Sequence, residues 1–209
     1  GVATSILEAS GRSEDVAYFA ALCSDWERLI SLHLQRKEYG LALEQLGSLV
    51  DDALARGSGR GAGTTSTAAA ELEADVERLI VLSGTELLLH EPGATVDVWM
   101  RASFVDPIKL LPSLERYDAQ HSATVASVVS SVHHGLRYFE HCASTLDNKQ
   151  RVLHSYLVQL HARHSSDDVL SDYVSGYAAH YDRTYALLEC LKRGRVHACV
   201  QPNQLERTH

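Results

Sequence analysis

Turn-forming residues are scarce in this sequence. Its 209 residues include four prolines and thirteen glycines, and runs of β-branched residues are few. Sandwich and barrel folds need a turn signal about every 8–12 residues. These shortages argue against an all-β fold, and the abundance of Leu, Ala, Glu and Arg favours helices instead.

Long apolar runs are also absent. No stretch approaches the roughly 18 uninterrupted apolar residues that a membrane-spanning helix requires, and the first residues, Gly1 to Ala9, have neither a basic start nor an apolar block. Secretory signals need both features. We therefore expect a chain that does not insert into a membrane and has no visible targeting signal.

Basic residues are outnumbered. The 19 Lys and Arg against 27 Asp and Glu give a formal net charge of −8. A chain with this balance repels nucleic-acid phosphates and anionic lipid headgroups. We therefore expect no nucleic-acid partner.

Cysteines are few and widely separated: Cys23, Cys142, Cys190 and Cys199. A chain of this size does not need disulfides to stabilise its fold, so a reduced, intracellular protein is predicted. Cys190 and Cys199 have no Cys-x-x-Cys companion, and both are interpreted as buried, inert thiols.

Apolar residues recur with the period of an amphipathic helix. Ser24 with Glu27 resembles a capping box, and apolar residues follow Trp26 at intervals of three and four residues. After a break of two or three residues, a second stripe begins at Tyr39 and includes Ala42 and Leu43. A connection this short predicts two antiparallel helices that form a hairpin.

Further stripes follow a Gly/Ser/Thr-rich segment at 56–67, which is predicted to be a mobile loop. One stripe ends near His90, because Pro92 disfavours a helical Glu91 and can itself start the next helix. Asp106 and Pro107 repeat the device, with Asp as N-cap and Pro at the first helical position. Later apolar faces lie at 125–139, 152–160, 169–177 and 185–200.

About ten or eleven helices joined by short turns predict an all-α fold, specifically an irregular α-solenoid of antiparallel helical hairpins that runs through residues 1–209. A compact helical bundle is the alternative. The start at Gly1 without Met, and a last hairpin that looks cut short at Pro202, predict a segment from the middle of a longer solenoid.

Twelve histidines raise the possibility of a metal site. His134 with His141, and His154 with His161, are two turns apart on their predicted helices, which puts about 10 Å between the members of each pair. That is too far for one zinc ion held at about 2 Å per ligand. His161 and His164 have suitable spacing but no matching second pair. No nucleophile elbow or phosphate loop is found, so we expect no catalytic residue, metal or cofactor.

Three segments resemble a known family. The first joins the Ser24–Glu27 start to Tyr39-Gly40-Leu41-Ala42-Leu43, and the second runs from His90 to Val96 and then from Asp106 through Lys109, Leu110 and Pro112 to Leu114. The third is the segment from Tyr181 to Val200, with Tyr185, Leu187, Cys190 and Gly194 at characteristic positions. Together these segments are similar to clathrin-heavy-chain-type repeats, and the third resembles the deep orange family of vacuolar sorting proteins (vacuolar protein sorting protein eighteen).

The resemblance implies a class C core subunit of the HOPS and CORVET tethering complexes, peripheral on late endosome, lysosome or vacuole membranes. It implies protein partners, namely other class C subunits, with no small-molecule substrate. The family's propeller and RING regions are expected to lie outside this chain. Thirteen residues are predicted to determine the fold: Trp26, Tyr39, Ala42, Leu43, Pro92, Asp106, Pro107, Lys109, Leu110, Pro112, Tyr185, Leu187 and Cys190.

Two alternatives to this function stay open at this point. The segment could belong to another vesicle-coat or vacuolar sorting subunit with the same repeat. Less favoured is a histidine-rich, metal-dependent helical enzyme.

Overall fold

The computed structural model describes residues 13–58, 67–122, 133–195 and 197. Within these residues every regular element is helical, which confirms the all-α prediction. The helices are α1 (Ser13–Leu22), α2 (Trp26–Gln35), α3 (Tyr39–Ser58), α4 (Thr67–His90), α5 (Pro92–Arg101), the 3₁₀ helix η1 (Pro107–Leu110), α6 (Leu111–Ser122), α7 (His134–Ser144), α8 (Arg151–His164), α9 (Asp167–Gly176) and α10 (Arg183–Lys192).

The predicted helix positions agree well with this order. Residues 59–66, most of the predicted loop, lie outside the described residues, as do 123–132 and all but His197 of the partner helix predicted at 196–200. Helix α1 was not anticipated from the sequence. Its ten residues include three alanines, so its apolar stripe is less distinct than those of α2 and α3.

The chain divides into two compact units, which are described separately. The first contains residues 1–105 and 112–120, and the second contains 106–111 and 121–209. The prediction of one continuous array from 1 to 209 stays a prediction.

In the first unit, α3 and α4 form the largest helix pair, and α5 packs against both. The predicted stripe of α3 is buried, with Ala42, Leu46 and Val50 fully enclosed. Trp99 on α5 is 1% exposed and packs over Gly84 of α4, where a Cβ atom would lie 3.0 Å from Cζ2 of the indole. Glycine at this position therefore sets how closely α4 and α5 approach.

Two details of the first unit differ from the sequence predictions. The N-cap of α2 is Asp25, whose carboxylate accepts a hydrogen bond from the amide of Arg28 at 3.3 Å. Ser24 instead has a positive φ of 54° and forms the turn out of α1. Asp is as good an N-cap as Ser, so the geometry of the turn determines that Asp25 and not Ser24 caps α2.

The second unit is built around α8, which packs against α7, α9, α10 and η1. Because α8 is covered on several sides, its buried residues do not form a single stripe: they are Leu153, His154, Tyr156, Leu157, Val158, Leu160, His161 and Ala162. Three of its short elements are capped by Asp or His side chains. The carboxylates of Asp106 and Asp182 accept from the amides of Ile108 and Tyr185, and His133 Nδ1 accepts from the amide of Leu136.

Asp106 and Pro107 start a helix, as the sequence predicts, but the helix is of the 3₁₀ type and not an α-helix. Residues Pro107–Leu110 form a 3₁₀ helix, and the α-helix begins only at Leu111. Asp106 caps and Pro107 occupies the first helical position. Pro112 then lies in the first turn of α6, where its missing N–H leaves no hydrogen bond unmade.

Candidate functional site

The thirteen residues predicted to determine the fold occupy three kinds of position. The first kind is buried: Ala42, Leu43, Pro107, Leu110 and Cys190. The second is half-buried: Trp26, Tyr39, Pro92, Asp106 and Tyr185. The third is exposed: Lys109, Pro112 and Leu187.

Trp26 does not belong to the buried core. It is the first residue of α2 and is half-buried, whereas Trp99 on α5 is enclosed. Tyr39 has a defined contact, because its ring stacks on His90 with the centroids 4.1 Å apart. This contact joins the start of α3 to the end of α4.

Tyr185, which is half-buried, and Asp182, the N-cap of α10, join elements of the second unit. The Tyr185 hydroxyl donates to the side-chain oxygen of Gln159 on α8, and the Asp182 amide donates to Ser155 Oγ at 3.1 Å. Both bonds hold the start of α10 against α8. The family-like segment at 181–190 is therefore a packing motif in this structure.

His154 is a buried polar residue that joins three parts of the second unit. Its Nε2 lies 2.8 Å from the carbonyl oxygen of Asn148, and its Nδ1 lies 2.6 Å from the hydroxyl of Tyr173. A carbonyl only accepts, so Nε2 of the neutral ring donates and Nδ1 accepts from the tyrosine O–H. Burial lowers the pKa of His154, which favours this neutral form.

His161 lies two turns further along α8 and is also buried. Its Nδ1 is 2.9 Å from Ser165 Oγ, and its ring packs on Tyr173 with the centroids 4.6 Å apart. Its Nε2 makes no hydrogen bond within the described residues and lies 3.6 Å from a carboxylate oxygen of Glu140. Burial lowers the pKa of His161 to about 4 and raises that of Glu140, so this contact is not an ion pair at neutral pH.

These contacts bear on the metal hypothesis for the pair His154 and His161. Both ring nitrogens of His154 are already hydrogen-bonded, and one partner is a backbone carbonyl. A metal ion would have to displace one of these bonds inside a packed core. The geometry therefore favours a packing role for His154 over a ligand role.

Cysteine chemistry differs from the sequence prediction at one position. Cys190 is disulfide-bonded, so its interpretation as an inert thiol was wrong. Cys23 and Cys142 are free. Burial raises the pKa of Cys142 to about 11, whereas Cys23 is exposed in the turn after α1.

A buried carboxylate near the end of α10 was missed by the sequence reasoning. Glu189 is 5% exposed and accepts from Lys192 Nζ at 2.6 Å and from the Arg193 guanidinium. Burial acts to raise the pKa of Glu189, but these two cations outweigh it and the pKa is lowered overall. The spacings i,i+3 and i,i+4 were the available signal.

Two helices each present three large apolar side chains to solvent. On α1, Tyr18, Phe19 and Leu22 are exposed, and on α10, Leu187, Leu188 and Leu191 are exposed. In both helices the residues are three and four apart, so each set forms one stripe. The opposite face of each helix is packed, through Val16 and Ala20 in α1 and through Ala186 and Cys190 in α10.

The polar contacts described above serve helix caps and core packing, and the exposed stripes are surfaces suited to other helices. None of the helices in the described ranges is long and apolar enough to cross a bilayer. These features define the class: an all-α protein of packed helices.

Residues 26–206 match a family model described as the second half of the VPS18 alpha-solenoid domain. The chain therefore belongs to the VPS18 family, and its irregular α-solenoid fold is confirmed. No solved structure gives a significant match to the chain.

Three curated proteins are similar over most of the chain. The Vacuolar protein sorting-associated protein 18 homolog of Danio rerio is 29% identical over 93% of the chain, and Vacuolar sorting protein 18 of Arabidopsis thaliana is 28% identical over 93%. Vacuolar membrane protein pep3 of Schizosaccharomyces pombe is 24% identical over 87%. The matches cover 17%, 18% and 17% of these relatives respectively, so the chain spans under a fifth of their length.

Proposed function

We propose that this chain is a structural scaffold segment of a membrane-tethering subunit in endosomal, lysosomal or vacuolar trafficking. It acts by contact with other proteins and performs no catalysis. Its partners are other class C subunits of the HOPS and CORVET complexes, and it works at the cytoplasmic face of these membranes.

The observation that carries this proposal is the match of residues 26–206 to the second half of a VPS18 solenoid domain. A solenoid stacks hairpins so that each one contacts only its neighbours, which leaves long surfaces for partners. The outward-facing leucines of α10 are one such surface. Family membership also disfavours the alternative of another coat or sorting subunit.

The noncatalytic part of the proposal has support in the second unit. His154, His161 and Glu189 are buried polar residues of the kind that active sites use. Here both ring nitrogens of His154 are hydrogen-bonded, and the Glu189 carboxylate forms salt bridges. The ring of His161 is held against Ser165 and Tyr173. The polar interior of this unit thus holds helices together.

The test is affinity capture of the full-length protein from its own cells, with its co-purifying proteins quantified by mass spectrometry. We expect recovery of other HOPS or CORVET subunits in near-stoichiometric amounts. Capture of soluble, folded protein without any of them would contradict the tethering role.

A second capture, with residues 1–209 alone, asks whether this segment makes its own contacts. The matched control is Leu46→Asp, because Leu46 is fully enclosed and a buried unpaired charge unfolds the first unit. Equal recovery of tethering subunits by the two chains would show that the contacts are nonspecific.

A further inference from the structure

Helix α1 carries an apolar surface that the other described residues of its unit do not cover. Tyr18 is 65% exposed, Phe19 43% and Leu22 63%, and the two aromatic rings pack edge to face with centroids 6.2 Å apart. Scattered apolar residues are ordinary on protein surfaces, but three on one helix face, including an aromatic pair, form a contact patch. We call these three residues the outer face of α1.

The outer face is held in a fixed orientation. The opposite face of α1 is buried through Val16 and Ala20, and α1 packs on α2. The turn between these helices is closed by backbone hydrogen bonds from Cys23 to Phe19, at 3.0 Å, and from Asp25 to Ala20, at 2.8 Å. A surface presented in this way is preorganised for a partner.

The position of α1 relative to the family match indicates what covers the outer face. The match to the second half of the solenoid domain begins at residue 26, the first residue of α2. Helix α1 lies on the N-terminal side of the matched residues and packs on α2. In a solenoid every internal helix is covered by a repeat on each side, whereas a terminal repeat has a polar outer face. The outer face of α1 is apolar, as expected of an internal helix.

We propose that the outer face of α1 is the joint on which the first half of the α-solenoid domain packs. The partner surface is a helix, or a pair of helices, with its own apolar stripe. This inference rests on membership of the VPS18 family and does not depend on the tethering role. Glu14 and Asp15, exposed in the first turn of α1, disfavour an anionic membrane as the occupant.

The chain contains a reporter for this joint. Cys23 is free, exposed and adjacent to Leu22. Cys142 is free but buried, with its pKa raised to about 11, so it provides an unreactive internal reference. Alkylation of both thiols by iodoacetamide under native conditions can be followed by peptide mass spectrometry.

The experiment compares residues 1–209 with a longer polypeptide that carries the first half of the domain in front of them. We expect Cys23 to be alkylated about tenfold more slowly in the longer chain. Iodoacetamide then reaches the thiol only when the joint opens. In that chain the double substitution Phe19→Arg and Leu22→Arg should restore the fast rate. The matched control is Leu82→Arg, since Leu82 on α4 is 63% exposed, as Leu22 is.

Three outcomes would overturn the proposal. The first is equal alkylation of Cys23 in the short and long chains. The second is protection that survives Phe19→Arg with Leu22→Arg. The third is a different occupant of the outer face, seen either as concentration-dependent self-association of residues 1–209 or as binding to phosphatidylserine vesicles. In either case Leu22→Arg would abolish the association and Leu82→Arg would not. No other subunit takes part, so failure here is distinguishable from failure of the tethering proposal.

Discussion

The hydroxyl of Tyr173 on α9 donates a hydrogen bond to Nδ1 of His154 on α8, across 2.6 Å and nineteen positions of sequence. The other ring nitrogen of His154 donates to the carbonyl of Asn148, in the segment between α7 and α8. A single imidazole thus ties two helices and a connecting segment together. Removing one of its partners leaves a buried polar atom without a hydrogen bond.

Tyr173→Phe is therefore expected to lower the free energy of unfolding by about 1–2 kcal/mol. Urea denaturation followed by circular dichroism measures the change. The control is Tyr177→Phe, whose half-buried ring packs against His154 with the centroids 5.0 Å apart. We expect the control to change stability by less than about 0.5 kcal/mol. An equal loss in both variants would show that the hydroxyl of Tyr173 has no special role.

The protein should lose stability as the pH is lowered, because His161 is buried in its neutral form. Its pKa is about 4 in the folded chain and about 6.5 when unfolded. Below pH 6.5 the unfolded chain takes up a proton that the folded chain does not, so stability is lost as pH falls from about 6.5 to about 4. The loss between pH 7 and pH 5 amounts to about 2 kcal/mol.

The neighbours of His161 act on this pH dependence as well. Burial also lowers the pKa of His154 and His164, which adds a loss of the same sign. Glu140 has a raised pKa and opposes it at lower pH. Urea midpoints measured at several pH values in the native chain and in His161→Gln separate the contribution of His161. The same slope in both chains would contradict a buried neutral imidazole.

Gly84→Ala should destabilise the first unit by about 1–3 kcal/mol through overpacking. The new Cβ would lie 3.0 Å from the indole of Trp99, which is enclosed by the core. Gly40→Ala is the matched control on α3, where nothing lies within 4 Å of the added Cβ. That change should stabilise the helix by about 0.5 kcal/mol. Opposite shifts of the melting temperature are expected, and shifts of the same sign would refute this packing.

Trp99→Ala should reduce stability by about 3–5 kcal/mol, the usual range for an enclosed aromatic residue. Trp26→Ala should cost about half as much, because Trp26 is only half-buried. When tryptophan is excited selectively over tyrosine, the fluorescence of the native chain comes from these two indoles alone. Each single variant therefore also reports the environment of the other tryptophan. A larger loss for Trp26 would reverse their assignment to surface and core.

Much of the helical pattern was predictable from sequence. The stripe beginning at Tyr39, the end of a helix at His90 and the start of another at Pro92 all depend on local spacing and on the geometry of proline. The choice of Asp25 over Ser24 as N-cap was not predictable, because both are good caps. The helix α1 was missed because its alanines weaken the apolar contrast that a stripe needs.

The candidate surfaces and the buried polar network depended on tertiary structure. Trp26 and Trp99 are equally apolar in the sequence, and only packing places one at the surface and the other in the core. The disulfide at Cys190 likewise had no Cys-x-x-Cys spacing to signal it.

The sequence by itself determined that this protein is helical, acidic and built of short amphipathic hairpins, and its motifs pointed to the family. These properties follow from composition and from the period of neighbouring side chains. The tertiary structure decided which histidines are neutral and buried, and which apolar stripes are covered. Burial and hydrogen bonding join residues far apart in the chain, as Tyr173 and His154 show, so no local pattern specifies them.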